Sequence, residues 1–162
     1  MFSYRKCCFY LFVLCLLVMS AALYIQYGLH VEPCLLCIVQ RIFLAALGLI
    51  ALIASLHRQT VFSRWIYNSL ALIFCALGVL AAGRQVWLQH LPPPEKADTF
   101  CVPGSQYLLN HASLATLFKA IVSGTPECSQ VTWTLWGWSL AEWSLLLFLV
   151  LSVGVICSFW RR

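Results

Sequence analysis

The chain has 162 residues, of which 62% are hydrophobic and 9% are charged, and its mean hydropathy is +0.89. Soluble domains carry about 25% charged residues, so this composition excludes a soluble globular protein and indicates a single integral membrane domain over residues 1–162. The net charge of +5 does not indicate a nucleic-acid partner, because the basic residues flank apolar segments and form no patch on a soluble face.

Four apolar segments are long enough to cross a membrane, since a span needs about 20 mostly apolar residues. Runs of this length without turn residues predict helices rather than strands. The first run could instead be a signal peptide, because Arg5 and Lys6 precede it, but it is longer than the usual signal core. The predicted spans are residues 8–26, 38–56, 66–83 and 143–160.

Lys and Arg residues in the short flanks predict the orientation, because positively charged flanks stay in the cytoplasm. Such residues precede the first span, connect the second span to the third and end the chain, which places both termini in the cytoplasm. Two extracytoplasmic loops follow from this topology, a short one at about 27–37 and a long one at about 84–142. The basic residues on the cytoplasmic side are Arg5, Lys6, Arg58, Arg64, Arg161 and Arg162.

The long loop combines a stiff start with a helical pattern. Pro92-Pro93-Pro94 predicts an extended stretch, and apolar residues further on recur with the spacing of a short amphipathic helix. That helix could lie flat on the outer membrane surface or pack on top of the bundle. Its apolar residues are Leu114, Leu117, Phe118, Ile121 and Val122. The expected fold is therefore an all-α membrane protein, a four-transmembrane-helix bundle with two extracytoplasmic loops.

Four of the nine cysteines, Cys34, Cys37, Cys101 and Cys128, fall on the extracytoplasmic side, where disulfides persist. They could form two structural disulfides, a zinc site, or two redox-active disulfides that exchange electrons. A structural bridge suits Cys101–Cys128, which would close a long loop, whereas Cys34–Cys37 would restrain almost no chain and is typical of redox chemistry. A zinc site favours two closely spaced pairs, and the second pair here is widely split.

The Cys34–Cys37 pair has the surroundings of a reactive thiol. Pro33 directly precedes Cys34 and predicts a helix start there, with both cysteines in the first turn. Unpaired N–H groups and the positive end of the helix dipole favour a thiolate at that position. Arg41 falls on the same helical face and is expected to favour the thiolate further, although an interfacial arginine could simply reach the lipid headgroups.

A dithiol that forms disulfides needs an electron acceptor, because thiol–disulfide exchange only moves electrons between sulfurs. The sequence has no glycine fingerprint for a flavin or nicotinamide and no usable set of haem ligands. A lipid-soluble quinone fits the location, and Arg41 could hold a carbonyl oxygen as it gains negative charge. His90 lies just beyond the third span, where it could hydrogen-bond or protonate a quinone, or simply be solvated.

Taken in order along the chain, these motifs resemble the disulfide bond formation protein B (DsbB) family, bacterial inner-membrane thiol:quinone oxidoreductases. The resemblance covers nearly the whole chain. It includes the four spans, the segments 34–41 and 83–90, the two loop cysteines Cys101 and Cys128, and the tryptophan-rich approach to the fourth span.

The resemblance implies a catalytic cycle. A reduced, DsbA-like periplasmic protein of the thioredoxin fold would attack Cys101 of a Cys101–Cys128 disulfide, and the freed Cys128 would attack the first pair at Cys34. Cys37 would then face ubiquinone or menaquinone, to which the electrons pass. Arg41 and His90 would belong to the quinone environment. The redox loops would be periplasmic, and a monomer would contain every group that the cycle needs.

Other functions compete with this interpretation. A vitamin K epoxide reductase-like protein is also a quinone-linked four-helix bundle, but there the quinone-side pair follows the loop pair in sequence. The same chemistry could run backward as a reductase. The chain could also be a membrane scaffold or a metal-binding protein whose four extracytoplasmic cysteines are structural.

Overall fold

The computed structural model describes residues 4–31, 33–57, 60–91, 113, 115–116, 121, 126–129, 131 and 133–160. Its main elements are four helices, each long and apolar enough to cross a membrane, so the predicted bundle of four transmembrane helices is confirmed. A 3₁₀ helix at Pro126–Ser129 and a hairpin of β1 (Thr134–Leu135) and β2 (Trp138–Ser139) precede the last helix. The helices are α1 (Tyr4–Gly28), α2 (Leu35–Leu56), α3 (Val61–Gln89) and α4 (Leu140–Trp160), and all four begin before the predicted spans.

Contacts at one end of the bundle show that successive helices run antiparallel. The Arg5 side chain at the start of α1 donates to the Ser55 carbonyl oxygen near the end of α2 at 2.8 Å. The Trp65 ring lies 5.1 Å from the ring of Phe159 at the end of α4. Each helix packs mainly on the next one along the chain, and α1 and α4 make little contact with each other. A seam therefore remains between the first and last helices.

The core lies midway along the bundle and depends on a close approach of α3 to α4. Gly78 makes that approach possible, because a Cβ added there would lie 2.3 Å from the Phe148 ring. Cys15 and Cys75 are buried in this core as small apolar side chains, which agrees with the usual behaviour of buried cysteine. The buried cluster comprises Cys15, Leu44, Leu47, Ile50, Ala71, Cys75, Phe148, Leu151 and Val155.

The start of α4 is fixed by a capping box. The Ser139 N–H donates to Glu142 Oε2 at 2.7 Å, and the Glu142 N–H donates to Ser139 Oγ at 3.3 Å. Ser139 Oγ also donates to Gln89 Oε1 at 2.8 Å and so ties α4 to the end of α3. The preceding hairpin turns at Trp136 and Gly137, which both have positive φ, as a tight two-residue turn requires.

Parts of the long loop lie outside the described residues. They include Cys101, the proline stretch at 92–94, and most of the predicted amphipathic helix, namely Leu114, Leu117, Phe118 and Val122. Ile121 from that predicted helix is described, and it packs against a buried cluster that contains Cys34 and Cys128.

Candidate active site

The first two predicted site residues meet at the start of α2. Cys34 is the N-cap, one position before the helix, and its sulfur accepts a hydrogen bond from the Cys37 N–H at 3.4 Å. The two side chains are thiols, and Cys34 Sγ donates to Cys37 Sγ at 3.0 Å. Disulfide sulfurs are about 2.05 Å apart, so the pair needs only a small movement to form the bond. The spacing of the motif thus places both sulfurs at one helix end.

Cys128 reaches the same point from the long loop. It lies in the 3₁₀ helix Pro126–Ser129, and its side chain is only 1% exposed. It packs in a buried cluster with Cys34, Leu36 and Leu88, which joins the loop to the ends of α2 and α3. The structure therefore brings together three of the four predicted redox cysteines.

The environment of Cys34 favours its protonated form. Hydrogen bonds with Cys128 and with Cys37, together with burial, raise the pKa of the Cys34 thiol above its ordinary value. The helix N-terminus was expected to favour a thiolate at both cysteines. At Cys34 the thiol is favoured instead, because the side chain is hydrogen-bonded to two other sulfurs and is only 6% exposed.

Two glutamines that the sequence analysis did not single out lie beside the thiol pair. Gln85, on α3, directs its Nε2 to Cys34 Sγ at 3.4 Å and to Cys37 Sγ at 3.2 Å. Its Oε1 accepts from Gln40 Nε2 of α2 at 2.8 Å and lies 3.6 Å from Cys37 Sγ. Both amides are buried in apolar helices. Polar residues at such positions usually have a function, which is the sequence signal that could have identified them.

A cavity of about 310 Å³ lies beside the thiol pair, in the seam between α1 and α4. Cys37 and Arg41 line it from α2, and Trp143 and Ser144 line it from α4. The remaining wall is mostly apolar and comes from α1, α2 and α4. Of the three residues predicted to share a helical face, Cys37 and Arg41 lie on the wall of this cavity, and Cys34 is not among its lining residues.

Arg41 is held against α1. Its guanidinium donates to Gln26 Oε1 and, at 3.1 Å, to the Ala22 carbonyl oxygen. These bonds fix the position of a cation at the cavity without using an acidic partner. No hydrogen bond joins Arg41 to either sulfur of the thiol pair within the described part of the chain.

His90 does not line the cavity beside Cys37. It caps the end of α3 with an exposed side chain, and its Nδ1 lies 2.9 Å from the Val86 carbonyl oxygen. The remaining predicted site residue, Cys101, lies outside the described residues.

Comparison with known proteins finds matches that share one name. The family model described as disulfide bond formation protein DsbB matches residues 4–158. The chain is 37% identical over 159 residues to disulfide bond formation protein B of Methylococcus capsulatus, covering 98% of this chain and 96% of that one. It is 40% identical over 161 residues to the protein of the same name from Acinetobacter baumannii, covering 98% and 92%. It is also 35% identical over 146 residues to that of Stutzerimonas stutzeri, covering 90% and 88%.

Proposed function

Since the chain belongs to the DsbB family of disulfide bond formation proteins, we propose that it reoxidises a DsbA-like periplasmic dithiol protein and passes the electrons to a membrane quinone. It is then a thiol:quinone oxidoreductase of the bacterial inner membrane that supports disulfide formation in periplasmic proteins. The four spans and the family support a multi-pass membrane location. The charged flanks support cytoplasmic termini and periplasmic redox loops.

One observation carries the proposal, a continuous series of sulfurs from the loop to the cavity. Cys128 packs against Cys34 in a buried cluster, and Cys34 donates a hydrogen bond to Cys37. Cys37 in turn lines the cavity that Arg41 also lines. A structural disulfide in a scaffold protein would not need a second thiol pair in contact with it. Thiol exchange does need that contact, because one sulfur must attack the next directly.

The exchange steps balance in atoms and electrons. A thiolate of the reduced partner attacks Cys101, the Cys101–Cys128 bond breaks, and Cys128 leaves as a thiolate. Cys128 attacks Cys34, the Cys34–Cys37 bond breaks, and its electron pair stays on Cys37. The partner's second thiol then releases the oxidised partner from Cys101. Two electrons and two protons have moved from the partner to this chain.

The residues around the cavity fit a quinone, either ubiquinone or menaquinone. The apolar walls suit a flat ring that is dissolved in the membrane, and the Arg41 guanidinium would hold one of its oxygens. Cys101 would attack Cys128 and re-form the loop disulfide, and the released Cys34 would re-form its bond with Cys37. The two electrons and two protons that these thiols lose would pass to a quinone bound in the cavity. We expect Cys37 to be the sulfur from which electrons pass to the quinone, because its side chain lines the same wall. Arg41 is kept at that wall by its bonds to α1.

The test is turnover in detergent with purified protein, a reduced DsbA-like dithiol protein and a soluble quinone. We expect quinone reduction in the wild type and in Cys157→Ser, whose exposed side chain lies far along α4. We expect none in Cys34→Ser or Cys101→Ser. Turnover that survives in either variant would refute the relay. A wild type that never reduces quinone but holds zinc would move the assignment to a metal site, and one that does neither would favour a scaffold.

A further inference from the structure

Gln85 is a buried amide whose donors face the thiol pair. Its side chain is 4% exposed, and it lies in the apolar helix α3. An amide without hydrogen bonds in such a place would be strongly destabilising. Here both partners of Nε2 are sulfurs, at 3.4 Å for Cys34 and 3.2 Å for Cys37. Gln85 therefore contacts both sulfurs of the reacting pair.

Gln40 fixes the direction of this amide. Its Nε2 can only donate, and it donates to Gln85 Oε1 at 2.8 Å. With Gln40 in this orientation, a flip of the Gln85 amide would bring two NH₂ groups together and lose the bond. Gln40 is itself 6% exposed and lies one turn after Cys37 on α2. The pair of amides thus bridges α2 and α3 and holds the Gln85 donors on the sulfurs.

We propose that Gln85 is a catalytic residue, which stabilises the Cys37 sulfur as it leaves the Cys34–Cys37 disulfide, and that Gln40 is its positioning residue. This inference rests on the proposed function. When Cys128 attacks Cys34, the bond between Cys34 and Cys37 breaks and its electron pair passes to Cys37. As a thiol, Cys37 can donate to Gln85 Oε1 at 3.6 Å, but as a thiolate it can only accept from Nε2. Hydrogen bonds to a charged sulfur are stronger than those to a neutral one.

The division of tasks follows from the contacts. Arg41 is hydrogen-bonded to α1 and lines the cavity, so its charge would stabilise the electron acceptor. Gln85 is bonded to the sulfurs, so its donors serve the leaving group. A neutral donor is suited to this position, because it adds no fixed charge to a buried site, where an unpaired charge is costly.

The test measures the redox equilibrium of the pair without a partner or a quinone. The full chain carrying Cys101→Ser and Cys128→Ser is equilibrated in detergent with defined ratios of reduced and oxidised dithiothreitol. The sample is then quenched in acid, alkylated and digested, and mass spectrometry gives the oxidised and reduced fractions of the peptide containing Cys34 and Cys37. We expect Gln85→Met to shift the equilibrium against the reduced pair about tenfold, because the reduced sulfurs lose their donor. That factor corresponds to about 30 mV for a two-electron couple.

Three further variants separate this role from a general effect on the fold. Gln89→Met removes the next amide along α3, whose Oε1 accepts a hydrogen bond from Ser139 Oγ, and its equilibrium should stay within about twofold of the parent. Gln40→Met should shift the equilibrium in the same direction as Gln85→Met but by less. Gln85→Glu keeps the shape of the side chain but loses the donor when the carboxyl is ionised. At pH 8 it should therefore shift the redox equilibrium at least as much as Gln85→Met does, and the shift should shrink on acidification.

An equilibrium for Gln85→Met within about twofold of the parent would overturn the inference. So would equal shifts in Gln85→Met and Gln89→Met. If Gln85→Met does not fold, the pH dependence of Gln85→Glu decides, and a shift that does not change with pH would overturn the proposal. If the wild type does not reduce quinone, the proposed function is refuted, but the redox equilibrium of the Cys34–Cys37 pair is unaffected by that result.

Discussion

Arg41 is the residue for which the structure gives the sharpest kinetic prediction. Its guanidinium lines the cavity beside Cys37 and is held there by Gln26 and the Ala22 carbonyl oxygen. Arg41→Met keeps most of the length and the apolar stem of the side chain but removes the charge and every donor. A hydrogen bond to a charged group contributes about 1.5–3 kcal/mol. Since about 1.4 kcal/mol is a factor of ten, the variant should bind quinone about 10- to 100-fold more weakly.

The assay varies quinone at a saturating concentration of reduced DsbA-like protein, and then varies that protein at saturating quinone. KM for quinone should rise by the factor above, and KM for the dithiol protein should stay within about twofold. Arg84→Met is the matched control, because Arg84 lies over the Trp87 ring at 4.2 Å and does not line the cavity. A KM for quinone that is unchanged in Arg41→Met, or that rises equally in Arg84→Met, would refute the assignment of the cavity.

Three further predictions concern the bundle and the thiol pair. Gly78→Ala would press a methyl group into the Phe148 ring, so the unfolding free energy in detergent should fall by about 1–3 kcal/mol, whereas Gly83→Ala, which meets open space, should not lower it. Glu142→Gln loses the charge of the capping box, and its melting temperature should fall by a few degrees, whereas an unchanged melting temperature would contradict a role for this box in fixing the start of α4. Because the pKa of Cys34 is raised, less of it is thiolate at any given pH, so iodoacetamide should modify it at least about tenfold more slowly at pH 8 than a solvent-exposed cysteine, and a comparable rate would contradict the burial.

Local sequence patterns were sufficient for the helices and for one half of the site. The apolar runs predicted four spans, because no other element satisfies its backbone in lipid over that length. The spacing of Cys34, Cys37 and Arg41 placed them on one face, since helical periodicity alone determines that relation. The exact starts of the helices differ because caps such as Ser139 with Glu142 extend them beyond the apolar runs.

The other half of the site depends on packing that a single sequence does not encode visibly. Gln85 meets the thiol pair only because α3 is rotated to face the start of α2, 48 residues earlier in the chain. The cavity exists because α1 and α4 leave a seam, which no local pattern reveals. A role for His90 beside the quinone stays a prediction, because its place at the end of α3 does not determine what its ring contacts, and its Nδ1 lies 2.9 Å from the Val86 carbonyl oxygen.

The relay itself can be tested most directly by trapping its intermediate. Oxidised wild-type protein without quinone is mixed with one equivalent of reduced DsbA-like protein, quenched in acid within seconds, alkylated and digested without reduction. The account predicts a peptide that links Cys34 to Cys128, with Cys37 alkylated and Cys101 joined to the partner. Reduced loop cysteines beside an intact Cys34–Cys37 disulfide, or a link from Cys128 to Cys37, would contradict it.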